Sequence, residues 1–232
     1  MARQTDTGLT GMTGFPTVLR LAARGGKLAT LVSAFAFAFS AVSFYETVLK
    51  QAHLKVYVTD TLSYTRDPYG GYEVIALPIA IANSGARDGA VVTLDLTVTN
   101  KETGEKHTLT SAYTADAQYF GGREDVSARI KRPKQPFAPL VVNGRNAYVG
   151  TILLYTSEGR TLSDPKTLIT PQARFDMVLD VHSPEPDDWL DKTFFVPAAP
   201  VALSGKVGDF LPGALYAGDM VRIQLTPPQT SQ

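Results

Sequence analysis

The sequence predicts a mainly β protein, an antiparallel sandwich preceded by one transmembrane helix. Three observations predict it. Residues Leu28 to Tyr45 are 18 consecutive positions without a charge, and apolar character continues past Glu46 to Leu49. After that run the hydrophobic period becomes two, in short segments punctuated by Gly-, Pro-, Asn- and Asp-rich turns. No long amphipathic helical pattern follows, which argues for strands packed on strands.

The segment before the run, residues 1–27, is polar and is expected to be cytoplasmic and partly disordered. The run itself, residues 28–49, is about 22 residues long and would extend about 33 Å as a helix, enough for a hydrocarbon core of about 30 Å. A cleaved leader is the alternative, with Ala41-Val42-Ser43 as an acceptable cleavage site, but leaders carry apolar regions of about 7–15 residues. A buried helix of a soluble domain is the third reading. The length favours an uncleaved anchor. Arg20, Arg24 and Lys27 precede it and Lys50 and Lys55 follow, a slight bias toward a cytoplasmic N-terminus and a periplasmic domain at a bacterial inner membrane.

Within the helix, Ala29, Ser33, Ala36, Ser40 and Ser43 recur at spacings of 4, 3, 4 and 3 and so fall on one face. Small residues permit close backbone approach between membrane helices, so this face is a candidate for docking a membrane-protein partner or a second copy. Tyr45 stands where an interfacial aromatic is expected, against the lipid headgroups. The lipid bilayer is therefore the first expected partner.

Residues 53–226 are expected to form the extracytoplasmic domain. Leu54, Val56 and Val58 alternate with Lys55, Tyr57 and Thr59, a half-buried strand. Residues 72–82 are apolar on both faces, and Pro78 puts a break, bulge or edge there. Val92, Leu94, Leu96 and Val98 alternate with polar residues and lead through Asn100-Lys101-Glu102-Thr103-Gly104 to a partner strand from Lys106 to Tyr113, a hairpin. Residues 148–155 are apolar on both faces and read as a central strand. Phe175, Met177, Leu179 and Val181, and then Val221, Ile223 and Leu225, repeat the alternation. The stretch from His182 to Gly218 reads as a long connection, and residues 227–232 as a disordered tail.

The stretch Ile79-Ala80-Ile81-Ala82-Asn83-Ser84-Gly85, followed by residues 91–98, resembles the strand, Asn-x-Gly turn and strand of immunoglobulin-like modules on bacterial cell-surface and periplasmic proteins. The resemblance covers about 50 residues and lacks the Cys-Trp-Cys signature of true immunoglobulin domains. It implies an immunoglobulin-like sandwich with an extracytoplasmic adhesion or scaffolding role.

Composition narrows the chemistry. Lys plus Arg and Asp plus Glu are equal at 22 each, so no global field attracts nucleic acid. Absence of cysteine excludes disulfides, thiolate ligands, cysteine nucleophiles and lipoprotein attachment. The three histidines, His53, His107 and His182, are not at metal-ligand spacing. Glu185, Asp187, Asp188 and Asp191 form an acidic cluster whose prolines point to a solvated loop, not to a cation loop. No catalytic residue, cofactor or metal is therefore expected. Tyr119, Phe120 and Arg123, in a glycine-containing aromatic loop, are candidate partner contacts. Trp189 is another, although an indole in such a loop is expected to pack into a groove and anchor it. These features predict a non-catalytic assembly, scaffolding or accessory subunit of a membrane complex. The alternatives are a cleaved periplasmic module that binds carbohydrate or peptide, and an enzyme with a site built from loops.

Overall fold

The computed structural model describes residues 15–66, 72–115, 135–156, 169–187, 189–211 and 220–226. The chain divides into two units, residues 1–48 and 49–232.

The first unit is helix α1, Phe15–Phe44, running into a single π-helical turn, Tyr45–Leu49. It begins well before residue 28, where the expected transmembrane helix was to start. The reason is local: residues 18–24 are mostly Leu, Ala and Arg, strong helix formers, and Pro16 falls in the first turn, where its missing N–H costs nothing. Gly26–Leu49 is long and apolar enough to cross a membrane, and none of it is buried. Thr30 and Thr47 turn their hydroxyls back to the carbonyls of Gly26 and Ser43, at 2.8 and 2.6 Å, so that both donate within the helix.

The second unit is mainly β. Its elements are β1 (Leu54–Val58), β2 (Thr61–Arg66), β3 (Glu73–Asn83), β4 (Gly89–Val91), β5 (Thr93–Asn100), β6 (Lys106–Ala115), β7 (Gln135–Pro136), β8 (Leu140–Val142), β9 (Ala147–Thr156), β10 (Arg174–His182), α2 (Trp189–Phe194), β11 (Val201–Val207) and β12 (Val221–Thr226). Eight strands close a ring in the order β3, β2, β12, β11, β10, β5, β6, β9 and back to β3, every pair antiparallel. This corrects the expected immunoglobulin-like sandwich of two separate sheets. Closure depends on β9, which pairs with β3 from Val74↔Tyr155 to Ala82↔Ala147 and with β6 on its other side. The expected central strand is thus the stave that shuts a barrel. β1 and β7 extend the wall at β3 and β6, and β4 pairs with β8 alone.

Pro78 marks a register change, as its chemistry requires. Val58 faces Ile79 but Ser63 faces Ala76, so Thr59–Leu62 lie opposite only Leu77 and Pro78. The Pro78 carbonyl accepts from Thr59 N at 3.4 Å, so its ring nitrogen, on the same side, faces the bulge, where the ladder is interrupted. Asp60 is released to accept from Leu225 N of β12 at 2.7 Å.

The interior is filled by alternating residues the sequence marks: Leu94, Leu96 and Val98 from β5, Phe175, Met177 and Leu179 from β10, and Val221, Ile223 and Leu225 from β12, whereas Val92, expected inward with the first set, stands between β4 and β5 and is exposed. The hairpin between β5 and β6 is capped by Asn100, whose side chain accepts from Glu102 N at 2.8 Å, with Gly104 at φ 72°. The stretch from His182 to Gly218, expected to be a long connection, instead contains α2 and β11. Gly205 in β11 leaves room for Ile223, whose Cγ2 lies 2.9 Å from where a Cβ would sit. On the opposite face of β3 and β9, Val74, Ala76 and Leu153 are buried beneath Tyr72, Tyr113 and Tyr155, which accounts for two strands apolar on both sides. Tyr155 makes ring contacts at 5.4 Å with each of the other two tyrosines, and its phenol is pushed up to about 12 by burial and by the neighbouring phenols.

Candidate functional site

The densest polar construction in the β unit surrounds residues 50–53, which follow the apolar run and precede β1. Asn83, at the end of β3, is its hub. The amide oxygen accepts from His53 N at 3.1 Å and Gly85 N at 2.9 Å, and the amide nitrogen donates to the carbonyls of Arg87 at 2.8 Å and Val142 at 3.0 Å. All four hydrogen-bonding positions of this buried side chain are used. The Lys50 carbonyl accepts from Ala86 N at 2.9 Å and Arg87 N at 3.1 Å, and Ser84 N donates to the His53 carbonyl at 3.0 Å. Gly85 is required here, because a Cβ would lie 2.0 Å from the Gln51 carbonyl oxygen. The Asn83-Ser84-Gly85 turn, taken from sequence as an immunoglobulin-like connection, is therefore a clamp on the segment before β1.

A second layer brings in α2. Asp191 is gripped by Arg87, whose Nη1 lies 2.8 Å from Oδ1 and 3.0 Å from Oδ2, while Gln51 Nε2 donates to Oδ1 at 2.7 Å. Beside this pair runs a groove of about 320 Å³, lined by Leu54, Val141, Phe195 and Val196 with Arg87 and Asp191 at its polar side. Both Asp191 oxygens accept hydrogen bonds, which fixes this carboxylate at the groove's polar side.

The far end of β3 is built differently. Tyr64, Arg66 and Glu73 are all buried, and the Tyr64 hydroxyl donates to Glu73 Oε1 at 2.7 Å. Arg66 and Glu73 are cross-strand partners between β2 and β3. Burial, and then the neighbouring Glu73 carboxylate, hold the Tyr64 phenol well above its ordinary range, while Arg66 pulls the other way.

Of the residues singled out from sequence, Ala29, Ser33, Ala36, Ser40 and Ser43 lie exposed along α1. Tyr119, Phe120 and Arg123 lie outside the described residues, as do Asp188 and the tail 227–232. Trp189 is 77% exposed, which overturns the expectation that it anchors its loop in a groove. Polar bonds from Asp191 do the anchoring instead. In the acidic cluster, Asp191 is an ion-pair member, and among the described residues no three His, Asp or Glu side chains converge to hold a metal. His182, exposed at the end of β10, sits 3.1 Å from Asp95, while His107, largely covered near the start of β6, sits 3.0 Å from Glu105. Gln51 and Arg87 escaped sequence reasoning because their common partner Asp191 is more than a hundred positions away, with nothing local to mark it.

No family model matches this chain, and no curated protein matches it. Among solved structures it is similar to the ApaA protein of Bordetella pertussis, at 15% identity over 66% of this chain and 94% of that one, with a TM-score of 0.30. A likeness of that size carries no argument about fold or function.

Proposed function

We propose that the protein is a single-pass, membrane-anchored β-barrel subunit that helps assemble or stabilise a membrane complex and is not itself catalytic. One observation carries the reading: Gly26–Leu49 is a continuous helical stretch, long and apolar enough to span a bilayer, with no buried residue. The N-terminus is cytoplasmic and the barrel periplasmic in this reading, following the Lys and Arg residues on either side of the stretch. The exposed face of Ala29, Ser33, Ala36, Ser40 and Ser43 docks a second membrane helix, from a partner or another copy.

The test is fractionation and co-purification of the full chain with a C-terminal tag. Retention in membranes after an alkaline wash, release by mild detergent and recovery of a reproducible membrane-protein partner are the expected results. Ala36→Leu with Ser40→Leu should reduce that partner while leaving the protein in the membrane. Full-length protein in the aqueous fraction after cell breakage would overturn the reading. A released periplasmic binding module is the second reading, favoured by the groove beside Asp191, and a mature N-terminus near Phe44 by mass spectrometry would establish it.

A further inference from the structure

We propose that the stretch from Trp189 to Val196 is a second membrane contact, whose exposed aromatic and apolar side chains enter the lipid headgroup layer near the point where the chain leaves the bilayer. The inference rests on the membrane-anchored reading above and adds a surface to it.

Three observations converge. Trp189, Phe194 and Val196 are 77%, 54% and 54% exposed, in a stretch of eight residues where burial would be expected of at least the indole. Trp and Phe are the side chains that settle at a water–lipid boundary, since each offers a large apolar surface and Trp adds a polar N–H. The second observation is covalent reach. Gln51 follows Leu49, the last residue of the apolar stretch, by two positions, and its amide holds Asp191 of α2 at 2.7 Å. Two residues reach at most about 7 Å, comparable to the ~5–8 Å depth of the headgroup layer on each side of the hydrocarbon. The third is the grip itself. Arg87 holds both oxygens of Asp191, so α2 is fixed at this position and does not depend on burial of its own apolar residues.

The charges nearby are mixed. Glu185 and Asp187 are exposed acids, and Lys50 and Lys192 supply the opposite sign. The contact is therefore apolar, needs no anionic lipid, and is insensitive to salt, unlike a polybasic surface patch.

Trp189 is the only tryptophan of the chain, so its fluorescence reports on this stretch alone. The experiment uses the full chain in phosphatidylcholine nanodiscs, with brominated lipid as one quencher and aqueous iodide as the other. Quenching of Trp189 by brominated lipid, weak quenching by iodide and no change on adding salt are expected. Asp191→Asn, which loosens α2, should shift quenching toward iodide without releasing the protein from membranes. Strong quenching by iodide and none by lipid, in protein that withstands an alkaline wash, overturns the contact and leaves the anchor standing. Shielding from both quenchers also overturns it, because protein and not lipid would then cover the indole. Release by the alkaline wash overturns the anchor, and the contact with it.

Discussion

The two ends of β3 hold the barrel together by different physics. At Asn83 the cement is neutral: one buried amide joins four backbone groups, and further main-chain bonds tie residues 50–53 to the turn beyond it. At Glu73 it is ionic: a carboxylate, a guanidinium and a phenol are all withdrawn from water. A neutral hub loses only hydrogen bonds when it is disturbed, each a modest net contribution. A buried charge that loses its counter-ion keeps its full desolvation penalty. The end bonded to residues 50–53 is thus the more forgiving one, and the Glu73 end is the more costly to disturb.

The largest expected effect breaks that comparison at its ionic end. Glu73→Ala removes a buried carboxylate that accepts from the Tyr64 hydroxyl and lies cross-strand from the buried Arg66, and should lower stability by about 3–5 kcal/mol, read from denaturant unfolding of detergent-solubilised protein. Replacing both residues, Arg66→Met with Glu73→Leu, should recover most of the loss. Failure to recover it would mean the pair acts through geometry and not charge. Next comes Asn83→Ala, which strands four backbone groups, two of them in buried bonds and two in part-buried ones, and should cost about 2–3 kcal/mol. Faster hydrogen exchange should then appear at residues 50–54 and 84–88.

An alkaline titration sharpens the contrast further. Tyr64 and Tyr155 have phenols raised in the fold above 10.0, Tyr155 to about 12, so the folded state retains protons that the unfolded chain gives up. Their contribution is complete below pH 10 and is lost as pH rises toward 12 and beyond. Stability should therefore fall through that window, and the combined Tyr64→Phe and Tyr155→Phe variant should flatten the fall. Asp191→Ala should have the smallest effect, about 1 kcal/mol or less, since the Arg87–Asp191 pair is partly solvated. Its consequence should be local, in the mobility of α2.

Strands were legible where period and burial agree. Leu94, Leu96 and Val98, or Phe175, Met177 and Leu179, need only an alternating pattern to be recognised, because every inward position is apolar. β11 was not legible, because inward Gly205 offers no side chain to count. β2 also escaped, since its inward Arg66 is charged and only the partner strand explains why. Pro78 announced an irregularity, and the bulge on the neighbouring strand supplied it. Ring closure had no local sign at all, for it is a property of which strands meet and not of any one strand's alternation. The same holds for the clamp and for α2. Asn83-Ser84-Gly85 could be read as a turn, but its grip on residues 50–53 is a tertiary fact, and the exposure of Trp189 follows from a carboxylate two residues away that does the anchoring in its place.

The clamp on residues 50–53 has a mechanical consequence. Because the segment is bonded to the turn after β3 before it becomes β1, tension arriving along the chain from before Lys50 is divided between two strands that are themselves laced side by side. A tug that would peel away a lone terminal strand must instead shear several bonds together, so the first strand of the β unit is protected from strain at its own entry.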